Sequence, residues 1–309
     1  MIRVSPTVQE ALVSGASVVA LESTVLTHGL PRPANLELGR RLEAIVRDTG
    51  ATPATIGVVA GELTVGIDDE AMQRLAEGGA AKASLWNLAA LIVSGADAGT
   101  TVATTLHAAS RVGITVFATG GLGGVHHEAF DESADLTALA RESVVTVCSG
   151  PKSVLDAAAT LERLETAGVP VAGWRSDSLA GFLTPLTDLS LPTRCDDANA
   201  VASLFHAHRD SGLPGGVVLS RPEESGLDPQ VLRELTEAVQ AEALTAGVRG
   251  KDLTPFLLQR LAERSEGATV NVNLRLLEGN ALLAAEIAGA IAAQRERRAS
   301  TTSPNEVPA

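Results

Sequence analysis

The chain has 309 residues, 45% of them hydrophobic, enough for a substantial core in one large α/β domain or two small ones. A formal charge of −13, with one compact basic cluster at Arg295, Arg297 and Arg298, argues against a nucleic-acid backbone as partner, though a small anion needs only local amides and cations. Absent tyrosine and 2% aromatics argue against a base-stacking platform, and the two cysteines, Cys148 and Cys195, make neither a disulfide framework nor a zinc pattern.

The first apolar run, 17–21, predicts a strand that delivers Glu22 into Ser23-Thr24-Val25-Leu26-Thr27-His28-Gly29. A carboxylate at the mouth of a buried strand can take a raised pKa and act as general acid or base; it can equally bond loop amides. Residues 35–49 predict a helix, with Leu38, Leu42 and Ile45 on one face behind an Asn35 cap. A strand at 55–60 follows. Gly99-Thr100-Thr101-Val102-Ala103-Thr104-Thr105 opens another helix, where free amides and hydroxyls suit a phosphate as well as an ordinary cap.

A strand at 114–119 runs into Gly120-Gly121-Leu122-Gly123-Gly124-Val125-His126-His127, an amide-rich loop at a strand's C-terminal end, where open α/β sheets bind ligands. It is no dinucleotide fingerprint, because His126 stands where the third glycine belongs, and the paired histidines lack metal-ligand spacing. In Phe130-Asp131-Glu132-Ser133-Ala134-Asp135, three carboxylates and a hydroxyl suit one hard divalent cation, Mg²⁺ or Mn²⁺, or an acidic helix cap.

A strand at 144–148 leads through Ser149-Gly150-Pro151 to Lys152, expected at the start of a helix over 152–167. Only three lysines, Lys82, Lys152 and Lys251, stand against 21 arginines. A lysine can shed its proton and condense with a carbonyl, which arginine cannot, and a helix N-terminus would favour the neutral amine. Strands at 169–174 and 216–220 precede helices at 228–246, 252–264 and 271–298. In the last, Asn273 and Asn280 share a face, and their amides could read a pyrimidine edge or satisfy nearby backbone.

These runs predict an α/β fold: a layered α/β/α arrangement with a largely parallel or mixed central sheet and a helical C-terminal flank. One domain over 1–299 and a disordered polar tail over 300–309 are expected. No leader pattern and no 18-residue apolar span stand out, so the expected compartment is the cytoplasm, without a membrane partner.

Four collinear segments resemble the pseudouridine-5′-phosphate glycosidase family: Ala20-Leu21-Glu22-Ser23-Thr24, the stretch from Val116 to His126, Asp131-Glu132-Ser133-Ala134-Asp135-Leu136, and the stretch from Gly250 to Leu258. The resemblance covers roughly residues 4–293. It implies cleavage of the C–C glycosidic bond of pseudouridine 5′-phosphate with water, reversibly, to uracil and ribose 5-phosphate. Two carboxylates suit O-glycosides; breaking a bond to uracil C5 suits an opened sugar and an iminium at C1′ on a lysine. By resemblance, Lys152 is the nucleophile and Glu22 the proton donor. Lys82, Val102, Ser133, Ala134 and Asp135 contact substrate, His126 and Asn280 fit pocket positions, and Asp131 holds one Mn²⁺ per subunit. Lys251 is structural. The stretch Ala83-Ser84-Leu85-Trp86-Asn87 departs from the family's charged pattern after Lys82. A homotrimer is implied as well. The rivals are an aldolase-like Schiff-base enzyme on another sugar phosphate and a non-catalytic sugar-phosphate- or nucleotide-binding regulator.

Overall fold

The computed structural model describes residues 2–30, 32–127, 131–248 and 253–301. The chain begins with β1 (Arg3–Val4), α1 (Pro6–Ser14), β2 (Val18–Glu22), a single π-helical turn (Val25–Gly29) and α2 (Ala34–Asp48). β3 (Thr52–Val59), β4 (Glu62–Val65), α3 (Asp69–Ala76), β5 (Ala81–Ala83), α4 (Leu88–Val93), β6 (Ala98–Thr100) and α5 (Val102–Val112) follow. Next come β7 (Val116–Ala118), α6 (Ala134–Leu139), β8 (Val145–Cys148), α7 (Ala157–Thr166), β9 (Val171–Trp174), the hairpin strands β10 (Ser178–Gly181) and β11 (Thr184–Ser190), and β12 (Thr193–Cys195). The chain continues through α8 (Ala198–Asp210), β13 (Val217–Ser220), α9 (Pro229–Ala246), α10 (Leu253–Arg264) and α11 (Ala268–Thr301).

The main sheet runs β1-β4-β3-β2-β7-β8-β13-β9-β12, with β6 joined to β3 and β5 to β6. From β3 to β12 every neighbouring pair on this path is parallel, whereas β4 and β6 meet β3 antiparallel, so the sheet is mixed. Alternate strand residues supply opposite faces. Val19, Leu21, Val116 and Val147 pack with α2, α8 and α11, while Val18, Ala20, Phe117 and Cys148 pack with α1, α5 and α6. Helices on both faces explain why the central strands are mostly apolar.

Each of the six expected strands overlaps an observed one, and the C-terminal flank is helical as expected. Four details differ. Asn35 does not cap α2: it is buried inside the first turn, its amide donating to the carbonyls of Leu26 (2.7 Å) and Ala76 (3.1 Å). The helix expected from Lys152 starts at Ala157, capped by Asp156, so Lys152 lies in a loop beyond the reach of that helix's dipole. The tail expected from 300 is helical through Thr301, the last residue described, and residues 302–309 lie outside those described. Finally, α11 is long and apolar enough to cross a membrane by length and composition, but 56% of its apolar window is buried, with Leu276, Ala281 and Ile287 at 0% exposure. A core helix passes the same test.

Candidate active site at the glycine loop

Three parallel strands, β2, β7 and β8, end side by side. Glu22 closes β2, and Leu21 pairs with Ala118 of β7, so the next residue of the second strand, Thr119, reaches the Glu22 carboxylate. Thr119 donates its hydroxyl to one carboxylate oxygen and Thr24 donates to the other. Hydroxyls rotate between donating and accepting, so this half-buried carboxyl group can hold or release a proton without orphaning either partner.

The loop after β8 is zipped onto the glycine loop after β7. Ser149 N donates to the Gly120 carbonyl (2.9 Å), Leu122 N to that of Gly150 (3.0 Å), and Lys152 N to that of Leu122 (3.0 Å). The register fixes where the Lys152 side chain leaves the backbone. That side chain is half-buried, and among the described residues its ammonium takes no hydrogen bond or ion pair. An amine without a carboxylate partner has nothing to break before it reacts.

On the other side of the glycine loop, Asp135 is buried and accepts from Gly123 N (2.8 Å) and from Ala103 N in the first turn of α5 (3.0 Å). Ser133 caps α6 and donates its own amide to the Gly124 carbonyl (2.9 Å), with Ala134 next in the helix. The fit leaves no room at Gly123, where a Cβ would lie 2.3 Å from Ser133 Oγ. The phosphate cradle expected at residues 99–105 is therefore largely filled by the protein's own groups. Ala103 N serves Asp135 and Thr104 N serves the Thr101 hydroxyl, which leaves the Val102 amide unengaged among the described residues.

The three carboxylates of 131–135 diverge. Asp135 is the staple just described, exposed Glu132 pairs with Arg163 (3.1 Å), and the half-buried Asp131 carboxylate has no partner among the described residues. No group of three or more His, Cys, Asp or Glu that could hold a metal occurs among those residues. One free carboxylate fits a hard cation that keeps most of its waters, and does not fit a caged one. The adjacent histidines point apart: His126 Nε2 lies 3.4 Å from the Thr254 hydroxyl and His127 Nδ1 lies 4.0 Å from Asp156.

Lys82 reaches the region from β5, paired in register with Gly99 of β6. Burial first, then the charge of Lys82, holds the His28 imidazole below its ordinary pKa. The loop after Lys82 is shaped by Asn87, which donates to the Lys82 carbonyl (3.0 Å) and accepts from Ser84 N (2.8 Å). Asn280 lies beneath the site, fully buried, donating to the carbonyls of Thr119 (2.8 Å) and Gly120 (3.4 Å); its amide supports the loop and is not open to a ring. Lys251 lies outside the described residues. In the sheet order β2 and β8 flank β7, so Glu22 and the Lys152 loop meet the start of the glycine loop from either side, with Asn280 bonded to its first carbonyls. Asp135 and Ser133 bind its middle, with Ala103 next to Val102 tied to Asp135, and at its far end His126 N donates to the Asp131 carbonyl (2.9 Å). An open groove of about 640 Å³ between α9 and α10, lined by Glu242, Phe256 and Arg260 among others, touches none of them.

Thr24 and Thr119, the groups that hold Glu22, escaped the sequence reading. Thr24 stands two residues after Glu22, but Thr119 is 97 residues away and is placed only by the β2–β7 pairing. Cys148, at the end of β8, is no nucleophile: burial pushes its thiol up to about 12.

A family model described as indigoidine synthase A like protein matches residues 7–290. The chain belongs to the indigoidine synthase A-like family. Relatives named pseudouridine-5′-phosphate glycosidase include one from Thermus thermophilus, 54% identical over 89% of this chain and 97% of its own, and one from Sorangium cellulosum, 47% identical over 93% of each. Among solved structures, the prealnumycin C-glycosynthase AlnA in complex with ribulose 5-phosphate superposes with a TM-score of 0.89 at 35% identity, covering 96% of this chain and 99% of its own. An indigoidine synthase A-like protein of Thermotoga maritima gives 0.87 at 34%, covering 94% and 97%. The family's fold is therefore present nearly end to end.

Proposed function

We propose that the protein is a pseudouridine-5′-phosphate glycosidase, reversibly cleaving that substrate with water to uracil and ribose 5-phosphate. The observation that carries the reading is the uncommitted Lys152 amine on a loop zipped to the one whose Thr119 holds Glu22. The names of the relatives and the sugar phosphate bound to AlnA support it.

In the cleavage direction, the neutral Lys152 amine bonds to C1′ as the C1′–O4′ bond breaks, and the proton the nitrogen loses is balanced by one gained at O4′, leaving a secondary amine on the opened ribose. Glu22 gives a proton to uracil C5 as the C1′–C5 bond breaks and its electron pair stays with C5, while the nitrogen lone pair forms the C1′=N bond. Water adds to that iminium carbon, and expulsion of the amine releases ribose 5-phosphate. Val102 N, Lys82, His126 and the 133–135 segment are assigned to substrate, with Asn280 supporting the loop from below. Asp131 would hold Mn²⁺, whose charge would offset that of the bound substrate. We place the enzyme in the cytoplasm as a homotrimer.

The test is incubation with pseudouridine 5′-phosphate and Mn²⁺, following both products by mass spectrometry with a parallel borohydride quench. Stoichiometric uracil and ribose 5-phosphate, with an adduct on Lys152, are expected, and Lys152→Ala and Lys152→Arg should both be inactive. Light scattering on the same sample should give a mass near three times 31.7 kDa. Full turnover by Lys152→Ala would sink the Schiff base. An adduct formed only with another sugar phosphate, without uracil release, would favour the aldolase-like rival.

A further inference from the structure

We infer that Arg221 is a positioning residue for this site, acting through Asn280 to hold the glycine loop and the Lys152 loop in register. Arg221 follows β13, and its backbone N donates to the Cys148 carbonyl (2.8 Å), one residue before the Lys152 loop begins. Its Nη1 reaches the side-chain oxygen of Asn280 (3.5 Å), which also lies 3.3 Å from the Ser149 hydroxyl. The Asn280 nitrogen faces the carbonyls of Thr119 and Gly120. A guanidinium only donates and a carbonyl only accepts. Turning the amide over would set NH₂ against the guanidinium and oxygen against two carbonyls, so the carbonyls orient the nitrogen end of Asn280 and Arg221 holds its oxygen end.

The guanidinium is itself held. Nη2 pairs with the buried Glu223 (3.2 Å), Glu223 accepts the Ser225 hydroxyl (2.6 Å), and Arg275 Nε donates to that same hydroxyl (2.8 Å). Space for it comes from Gly279 on α11, where a Cβ would lie 2.4 Å from Arg221 Cζ. An apolar side chain would fill this half-buried place at less desolvation cost. What it could not supply is a donor-only fork spanning Glu223 and Asn280.

The kinetic arm of the test rests on the function proposed above; the exchange arm does not. Arg221→Met, Asn280→Ala and the double variant are compared for pseudouridine 5′-phosphate cleavage and for amide hydrogen exchange at Ser149 and Leu122. Arg221→Met should lower kcat by ~100-fold through misplacement of the reacting groups, with KM changed by less than about twofold. The double variant should be no slower than Asn280→Ala alone, because the two residues act as one unit. Exchange at Ser149 and Leu122 should quicken in both single variants while Val145 and Val147 stay protected. Additive losses, or wild-type exchange at those two amides in Arg221→Met, would overturn the inference. Should Arg221→Met not fold, Gly279→Ala carries the test, since it keeps every polar group and displaces only the guanidinium. The same losses are expected there, and wild-type kcat and exchange would refute the assignment. If the wild-type enzyme does not release uracil, the proposed function falls while the exchange comparison still decides the role of Arg221.

Discussion

A carboxylate that accepts amides from two separate segments acts as a staple, and Asp135 does so between the glycine loop and α5. Asp135→Asn replaces one acceptor oxygen by a donor facing an N–H group. A buried charge-assisted hydrogen bond lost in this way costs about 2 kcal/mol, so urea denaturation should show a drop of that order, with turnover falling as the loop loosens. An unchanged midpoint would mean that the two amides find other partners. The motif containing Asp135 was visible in the sequence, but its direction was not: Asp131, Glu132 and Asp135 looked like one cluster and have three different surroundings. Glu22 and Lys152 stood out as candidates because strand ends and scarce lysines are local features. Thr119 and Arg221 were not, because their roles depend on pairings across the sheet and on α11.

At the scale of elements, the long apolar runs revealed themselves and the short ones did not. β5, β6 and β12 have three residues each, too few to show alternation, yet β5 and β6 bring Lys82 and the start of α5 to the site. The amphipathic face of α2 was equally plain, but one of its residues carries a cost that the pattern concealed. Glu43 lies under Thr55, which donates to it (2.6 Å), and burial, outweighing Thr55 and Arg47, raises its carboxyl above the ordinary value of 4.5. The unfolded chain therefore ionises first. Stability from this group is fully present below pH 4.5 and is lost as pH rises through the folded-state value. Glu43→Gln should accordingly melt at a higher temperature than wild type at pH 7, with the gap closing below pH 4.5. The exposed Arg47 partner offsets little. A lower melting temperature at pH 7 would show that the ion pair outweighs the burial.

For the whole molecule, the order of strands was hidden because β2 pairs with β7, and β13 enters between β8 and β9, over separations that no local pattern encodes. The helical flank expected from the sequence packs into the core of the molecule. α11 packs on α2, α8, β2, β7 and β8, contributing Val272, Leu276, Leu277, Ala281, Ala284, Ile287 and Ile291 to the larger core, and its Asn280 underpins the site. Emptying one such position by Leu276→Ala should cost about 2–5 kcal/mol, comparable to much of a typical domain's net stability. Removing the helix altogether, by ending the chain after Arg264, leaves one face of the central strands covered only by α2, α8 and their neighbours. That truncated chain should lose its near-ultraviolet circular dichroism and bind hydrophobic dyes, as a collapsed state without fixed packing does. Sharp cooperative melting of the truncated chain would instead show that the sheet and its remaining helices make a sufficient core, with α11 needed only where Asn280 meets the two loops.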